Sequence, residues 1–380
     1  MALHSNIEKH LLQQSLLSYC LYPFSLLFSI ILVIRRWLYK KCIFQYKAEV
    51  FVISIGNITA GGSGKTPFTI FLTNLLTKHN LKVGVSHRGY RSALEGKTTL
   101  ISNMTELLPE ADMAGDEAWL IAHRLIGIPV VVGKNRKHAI KLMLKEYPYL
   151  DCIILDDSFQ NLKVVHDLDF IIINDQVGFG NGFVLPAGYL REPISALSDA
   201  DAFVLNKTVQ RHYCEDRNPI LTLPGRQPDF PYQVQKYLDK FKKISFTGSY
   251  NPDCVYDFTR KEISFQSISE KSIMLLSGIG NPSGFAETAK AMAIKVVYYK
   301  VLSDHCDYRD IKLRQQIIRD FEKSGAELIL TTEKDYAKLR HYPEFKACLL
   351  ILGISFVLDN KTDILLSYIM QKMSNTKVAN

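Results

Sequence analysis

What the chain lacks narrows its class before any motif is read. Its seven cysteines, Cys20, Cys42, Cys152, Cys214, Cys254, Cys306 and Cys348, include no Cys-x-x-Cys pair. That spacing argues against a disulfide framework or a zinc site and points to a reducing compartment. Neither an arginine-rich tract nor zinc-finger spacing accompanies the net charge of +8, so no nucleic-acid partner is expected. The positive excess is better assigned to a membrane-proximal segment and to an anionic ligand. No internal repeat at solenoid periods and no low-complexity segment is found, which excludes an extended array. With 47% hydrophobic and 22% charged residues over 380 positions, a folded chain with room for two domains is expected.

Residues 15–34 carry no charge, and at about 1.5 Å per residue they just suffice to cross the ~30 Å hydrocarbon layer as a helix. Arg35-Arg36-Trp37-Leu38-Tyr39-Lys40-Lys41 follows at once. Basic and aromatic side chains in that place anchor a helix at the interface and put its C-terminal side in the cytoplasm. A signal peptide is disfavoured, because the basic cluster follows the apolar run and no small-residue cleavage site is evident. A spanning anchor and a helix inserted into one leaflet both stay open, given the serines and Pro23. Either way the expectation is an uncleaved membrane anchor, a cytoplasmic catalytic body and a substrate drawn from the bilayer.

The stretch around which the rest is organised is Phe51-Val-Ile-Ser-Ile-Gly-Asn57, followed by Ile58-Thr-Ala-Gly-Gly-Ser-Gly-Lys-Thr-Pro67. It reads as strand, phosphate loop and helix. Glycines let the main chain approach an anionic phosphate closely enough to use its N–H groups. Lys65 then reaches the β- and γ-phosphates, the Thr66 hydroxyl ligates Mg²⁺, and the helix N-terminus adds partial positive charge. The nucleotide-binding candidates are Thr59, Ala60, Gly61, Gly62, Ser63, Gly64, Lys65 and Thr66. Thr59 stands where the standard G-x-x-x-x-G-K-[ST] pattern has its first glycine. A glycine-rich turn with an incidental lysine is the weaker alternative.

From Val50 onward strands and helices alternate, with strands expected near 82–86, 98–102, 129–133, 152–156, 169–173 and 202–206. Asp116 is placed as the N-cap of a helix running to about Ile126. Nearly all-apolar strands in repeated βα units imply a parallel sheet covered on both faces, with ligands at the strands' carboxyl ends. Cys152-Ile-Ile-Leu-Asp156-Asp157 ends in two carboxylates, the form of a strand that delivers an acidic group to nucleotide-bound Mg²⁺. The long loop 175–193 is expected to be a structured binding loop. The fold expected is α/β: a P-loop NTPase-like parallel sheet domain, a second, smaller α/β domain and an N-terminal membrane helix. Its divisions are 1–45 (anchor), 46–215 (P-loop domain), 216–268 (β-rich linker) and 269–380 (smaller lobe), with the tail after Ser374 frayed. Gly278-Ile-Gly280 is only a weak fragment of a dinucleotide fingerprint.

Several motifs together resemble those of tetraacyldisaccharide 4'-kinase, the lipid A 4'-kinase family of Gram-negative bacteria. They are Gly56 to Pro67, Arg88-Gly89-Tyr90, Gly115-Asp116-Glu117, Pro129-Val-Val-Val-Gly133, Asp156-Asp157-Ser-Phe-Gln160, Gly178-Phe-Gly-Asn-Gly182 and Leu185-Pro-Ala-Gly188. Leu190-Arg-Glu-Pro193, Gly278-Ile-Gly-Asn-Pro282, Asp304-His305 and Thr332-Glu-Lys-Asp335 complete the series. They span nearly the whole chain in the family's order, and Thr59 is also how the family looks. The resemblance implies transfer of a phosphoryl group from ATP to the 4'-hydroxyl of a tetraacylated glucosamine disaccharide 1-phosphate at the bacterial inner membrane. It implies Asp116 as the base, paired with His305, and Lys65 as a third catalytic group. Thr66, Glu117, Asp156 and Asp157 are implied for Mg²⁺ and its water shell, Gln160 and Arg191 for the nucleotide, and Glu192 for nucleotide, substrate or metal. Ser158 and Asn161 stand where the family usually has Gly and His, and Arg91 where it has Gly, so no role is carried over to position 161.

Two other classes are weighed. A membrane-docked nucleotide switch of the MinD type does not call for the second lobe, and a small-molecule P-loop synthetase predicts no membrane segment.

Overall fold

Short apolar runs become strands because a β-branched side chain packs well on a pleated surface. A computed structural model describes residues 14–41, 45–61, 64–90, 92–175, 177–207, 232–359 and 361–379. The expected loop residues Gly62 and Ser63, Arg91 and much of the expected linker, 216–231, lie outside the described residues. The chain divides into two units: Met1–Lys207 with Pro228–Ser249 and Leu358–Asn380, and Thr208–Gln227 with Tyr250–Val357.

In the first unit the strands are β1 (Phe51–Gly56), β2 (Val83–His87), β3 (Thr99–Ser102), β4 (Val130–Val132), β5 (Cys152–Asp156), β6 (Leu168–Asn174), β7 (Ala202–Lys207) and the first half of β8 (Ile244–Asp257). They are ordered β8-β7-β6-β1-β5-β2-β4-β3. All pairs are parallel except β3 with β4, which closes the edge antiparallel. The helices are α1 (Leu16–Lys40), α2 (Lys65–Lys78), α3 (Asp116–Arg124), α4 (Arg136–Glu146) and α5 (Tyr232–Phe241). Val52, Val131, Ile153 and Leu155 pack with Ile140 and Met143 of α4 in one core cluster. A second joins Ile58, Phe159, Ile171, Phe203 and Leu205 with Leu238 of α5. Each such burial contributes roughly 1.5–3 kcal/mol relative to exposure, so the sheet is a stiff platform for its carboxyl-end loops. The register pairs Ile55 with Asp156 and Ser86 with Leu155. Gly56, Asp156 and His87 therefore end three neighbouring strands.

Helix α1 buries an unusual face. Ser18, Ser25, Leu32 and Arg36 are buried while Leu16, Phe24, Leu27, Ile31 and Ile34 are exposed. The spacings of 7, 7 and 4 residues put the buried four on one stripe. Asn181 Nδ2 donates to Ser18 Oγ at 3.3 Å and Ser25 Oγ donates to the Val184 carbonyl at 2.6 Å. The described part of the expected loop, 177–193, is thus structured, as expected, and serves as the cradle of α1.

The second unit is built on β10 (Ser272–Ser277), β11 (Lys295–Val301), β12 (Leu328–Thr332) and β13 (Leu349–Leu358), in the order β11-β10-β12-β13. Their pairings are parallel, while β9 (Glu262–Ile263) runs antiparallel to the second half of β8. Helices α6 (Pro282–Ala291), α7 (Ile311–Ser324) and α8 (Glu333–Leu339) join them, and Ile273, Leu275, Phe285, Leu330 and Leu350 form its core. Finally α9 (Thr362–Ala379) returns to the first unit, where Lys372 Nζ reaches Asp201 Oδ1 at 2.7 Å.

Three expectations differ from this arrangement. The crossing 216–268 contains α5, whose Val234, Tyr237, Leu238 and Phe241 form an apolar helical stripe facing the core. The region 358–380 groups with the first unit instead of the smaller lobe. The end of the chain stays helical to Ala379 instead of fraying after Ser374.

Candidate active site

The loop after β1 turns on two glycines. Gly64 caps α2 at φ +82°, a left-handed conformation that a side chain would strain. Gly61 sits at φ +85°, and a Cβ there would stand 2.2 Å from the Tyr189 hydroxyl. The loop 175–193 braces this turn: the Ala60 N–H donates to the Tyr189 carbonyl at 2.8 Å and the Arg191 N–H to the Ile58 carbonyl at 2.7 Å.

Lys65 and Thr66 then face the acidic end of β5. Lys65 Nζ is 3.3 Å from Asn57 Oδ1 and 3.4 Å from Asp157 Oδ1. Asn57 Nδ2 donates to Thr59 Oγ1 at 3.1 Å, which gives the threonine in the glycine position a structural task. Thr66 Oγ1 donates to Asp156 Oδ2 at 3.1 Å, Thr69 Oγ1 to Asp156 Oδ1 at 3.1 Å, and the Asp157 N–H to Asp156 Oδ1 at 3.0 Å. Arg191 Nη1 lies 3.3 Å from Asp157 Oδ2.

The two neighbouring carboxyls are tuned in opposite directions. Burial pushes Asp156 above the usual carboxylate range; Asp157 and Glu117 add to this, and His87 and Lys65 oppose it. Burial acts on Asp157 in the same sense, but Lys65 and Arg191 outweigh it and hold that carboxyl below the usual range. Behind them the guanidinium of Arg136 is buried and donates to Ser86 Oγ at 3.1 Å and to the Asp156 carbonyl. Burial lowers its pKa to about 10 against the pull of the two aspartates.

The turn before α3 supplies the other acidic pair. Gly115 is the N-cap, at φ +86°, and Asp116 is the first helical residue. This corrects the expectation that Asp116 itself caps the helix. Asp116 is buried, only 7% exposed. Glu117 Oε2 lies 3.5 Å from His87 Nε2, which is 4.0 Å from Asp156 Oδ2. The Asp116-Glu117 turn is therefore linked to the strand ends through His87.

Gln160 and Glu192 have other partners. Gln160 Nε2 donates to the Asn57 carbonyl at 2.6 Å, and its own carbonyl accepts from Arg35 Nη2 at 2.9 Å. Glu192 is fully buried and accepts from Arg36 Nε at 2.9 Å. Arg36 also reaches Asp199 Oδ2 at 3.1 Å and stacks over the Phe159 ring at 4.3 Å. Glu192, expected to serve nucleotide, substrate or metal, thus has one carboxylate oxygen engaged by Arg36.

In the second unit, His305 adopts φ +58°. Its N–H donates to the Gly278 carbonyl at 3.2 Å, and its Nε2 lies 3.4 Å from Lys334 Nζ.

Sequence reasoning missed Arg36, Asn57, Thr69, His87 and Arg136 as contributors. For His87 a signal existed, because it opens the loop at the carboxyl end of the strand predicted over 82–86, where ligands gather in parallel sheets.

A lysine and a threonine opening a helix behind a glycine turn, opposite an acidic strand end in a parallel sheet, define the P-loop class of phosphate-binding α/β proteins. Comparison with known proteins narrows this class. A profile of the family described as LpxK, Tetraacyldisaccharide-1-P 4'-kinase, matches residues 17–373. The tetraacyldisaccharide 4'-kinase of Desulfotalea psychrophila is 33% identical over 323 residues, covering 84% of this chain and 87% of that protein. That of Pelobacter propionicus is 33% identical over 340 residues, covering 89% and 87%. A crystal structure of LpxK from Aquifex aeolicus in complex with ATP is similar at a TM-score of 0.71 and 29% identity, covering 94% of this chain and all (100%) of that one. The chain belongs to the tetraacyldisaccharide 4'-kinase family, and is a kinase.

Proposed function

We propose that the protein transfers the γ-phosphoryl group of ATP to the 4'-hydroxyl of a tetraacylated glucosamine disaccharide 1-phosphate, giving lipid IVA and ADP. Mg²⁺ is the divalent ion, and the site faces the cytoplasm at the bacterial inner membrane. The observation that carries this reading is the meeting of Lys65, Thr66, Asp156 and Asp157 at the carboxyl ends of β1 and β5. A cation, a hydroxyl and hard oxygen ligands in one place suit a triphosphate with its metal. Among the described residues no group of three or more His, Cys, Asp or Glu could hold a metal alone. That fits Mg²⁺, which is usually held by one or two carboxylates together with phosphate oxygens and water.

In the mechanism, the main chain of the loop and Lys65 bind the β- and γ-phosphates, Lys65 exchanging Asp157 for phosphate oxygen. Thr66 and Asp156 would hold Mg²⁺, with Asp157 and Glu117 on its water shell; the ion supplies charge neutralisation on the phosphate oxygens. Gln160 and Arg191 border the nucleotide. The 4'-hydroxyl oxygen bonds to the γ-phosphorus as the bond to the β–γ bridging oxygen breaks, and that electron pair leaves on ADP. Asp116 accepts the hydroxyl proton. His305 is the second proposed catalytic residue.

The geometry of α1 favours a helix lying in one leaflet. It is tied to its cradle from Ser18 to Arg36, ~27 Å at about 1.5 Å per residue, so little of it is left to cross a bilayer apart from the body. Its exposed apolar face then enters the acyl region, with Arg35, Trp37, Lys40 and Lys41 at the headgroups. A cysteine placed at Gln14 should be reached by an impermeant maleimide only from the cytoplasmic side of sealed membranes. Labelling from the opposite side would mean a spanning helix.

The decisive assay gives detergent-solubilised protein γ-labelled ATP, Mg²⁺ and the disaccharide 1-phosphate lipid. Label enters the lipid, and Lys65→Ala abolishes this. Release of label only as inorganic phosphate would favour an ATPase switch instead.

A further inference from the structure

His87 is buried at the end of β2, and both of its ring nitrogens face specific groups. Nδ1 lies 2.9 Å from the Gly89 backbone nitrogen; a backbone amide only donates, so Nδ1 accepts. In the neutral ring the proton therefore sits on Nε2. Nε2 lies 3.5 Å from Glu117 Oε2 and 4.0 Å from Asp156 Oδ2. The two carboxylates come from different elements, the first turn of α3 and the last residue of β5. Asp157 adds a third negative charge beside Asp156. Like charges gathered this closely repel one another, and a donor held between two of them offsets that repulsion. The phosphoryl transfer proposed above does not use His87: its proton goes to Asp116 and its phosphates are bound by Lys65 and the loop.

We infer that His87 is a positioning residue for the cation side of the site. Its Nε2–H, with Nδ1 fixed by the Gly89 amide, sits near both Glu117 and Asp156 and holds these two carboxyls together where a phosphate-bound divalent ion would sit. The inference rests on the Mg²⁺ reading above and deepens it, because it assigns the placing of one proposed ligand, Asp156, and one group on the ion's water shell, Glu117, to a residue outside the phosphate loop. Groups that orient a ligating side chain in this way commonly set metal affinity by 10–100-fold.

The test uses the full-length protein, ADP and Mn²⁺, with bound Mn²⁺ followed by electron paramagnetic resonance. His87→Ala removes the bridge, while His87→Gln keeps an N–H near the Nε2 position. His87→Ala should weaken Mn²⁺ binding to the ADP complex by ~10-fold or more, and His87→Gln should restore most of it. ADP binding in EDTA should stay within about twofold of wild type in both, because the loop and Lys65 are untouched. In a Glu117→Gln background the His87→Ala loss should shrink, since one of the two bridged charges is gone. If His87→Ala melts, His87→Asn, whose amide is too short to reach Glu117, is read against His87→Gln. Unchanged Mn²⁺ affinity in the variant without the bridge overturns the inference. So does a parallel loss of Mn²⁺ and metal-free ADP binding, which would make His87 a support of the loop alone. If the wild-type ADP complex takes up no more Mn²⁺ than free ADP does, the Mg²⁺ reading fails first and the inference falls with it.

Discussion

Two turns in this molecule share a plan and differ in what occupies them. Each follows a buried parallel strand and opens a helix: the turn after β1 leads to α2, and the turn after β10 leads to α6. In the second, the Gly278 N–H donates to both oxygens of Asp335, at 3.0 and 3.1 Å. Asp335 is almost fully buried and also accepts from Tyr308 Oη at 2.8 Å and Thr332 Oγ1 at 2.7 Å. Helix α6 is capped in turn by Asn281, whose Oδ1 accepts from the Gly284 N–H at 3.0 Å. The protein's own carboxylate thus fills the place an anion would take. In the first turn the cap is a glycine, and the polar groups around it are a lysine, a threonine and an acidic strand end. The difference lies in what meets each turn: in the second a main-chain donor is met by the protein's own buried carboxylate, and in the first Lys65 and Thr66 face the acidic end of β5.

Mutations in the two turns should fail in different ways. Lys65→Ala should lower kcat/KM by at least ~10²–10³-fold, the cost of removing a charge that stabilises the moving phosphoryl group, with little change in the urea midpoint. Asp116→Asn should lower kcat by roughly 10² or more while ATP still binds in equilibrium dialysis, the scale of a lost general base; unchanged turnover removes Asp116 from that role. Asp335→Asn should leave the phosphate chemistry in place but cost about 1–3 kcal/mol of stability by urea titration, because an amide nitrogen then faces buried donors. Lower ATP affinity with unchanged stability would instead make the second turn a nucleotide site and erase the contrast.

The same variant carries a pH signature. Burial holds the Asp335 carboxyl above its ordinary value, against the hydrogen bonds from Thr332, Gly278 and Tyr308. The folded state then binds that proton more tightly than the unfolded state. Its contribution is full below the unfolded pKa and is lost as pH rises through the folded one. The stability gap between wild type and Asp335→Asn should accordingly narrow as pH increases across that window. The smallest effect is expected for Tyr308→Phe, about 1 kcal/mol for one hydrogen bond to Asp335, measured in the same titration.

Much of the first turn was legible in the sequence because its signals are local. Lys65 and Thr66 follow directly on the glycines, and Asp156-Asp157 ends an apolar run of strand length, so motif and period agree. The ion pair of Glu192 was not legible, for the opposite reason. Its partner Arg36 lies 156 positions earlier, and nothing in the spacing of either residue announces the other. The role of His87 depends on β5 inserting between β1 and β2, a matter of strand order that hydrophobic period does not encode. The helix α5 was hidden behind the aromatic and proline-rich stretch before it, although Val234, Tyr237, Leu238 and Phe241 carry helical spacing.

The Arg36–Glu192 pair has a practical consequence for anyone who wishes to trim the molecule. A protein begun after Lys41 would strand Glu192 as a sealed-in anion with no counter-charge, a defect that typically costs about 3–5 kcal/mol. It would also strip the guanidinium that covers Phe159, two residues beyond Asp157. The hydrophobic leader is therefore no detachable handle: it holds the counter-charge of a buried carboxylate, and a water-soluble shortened form would have to replace that charge or redesign position 192.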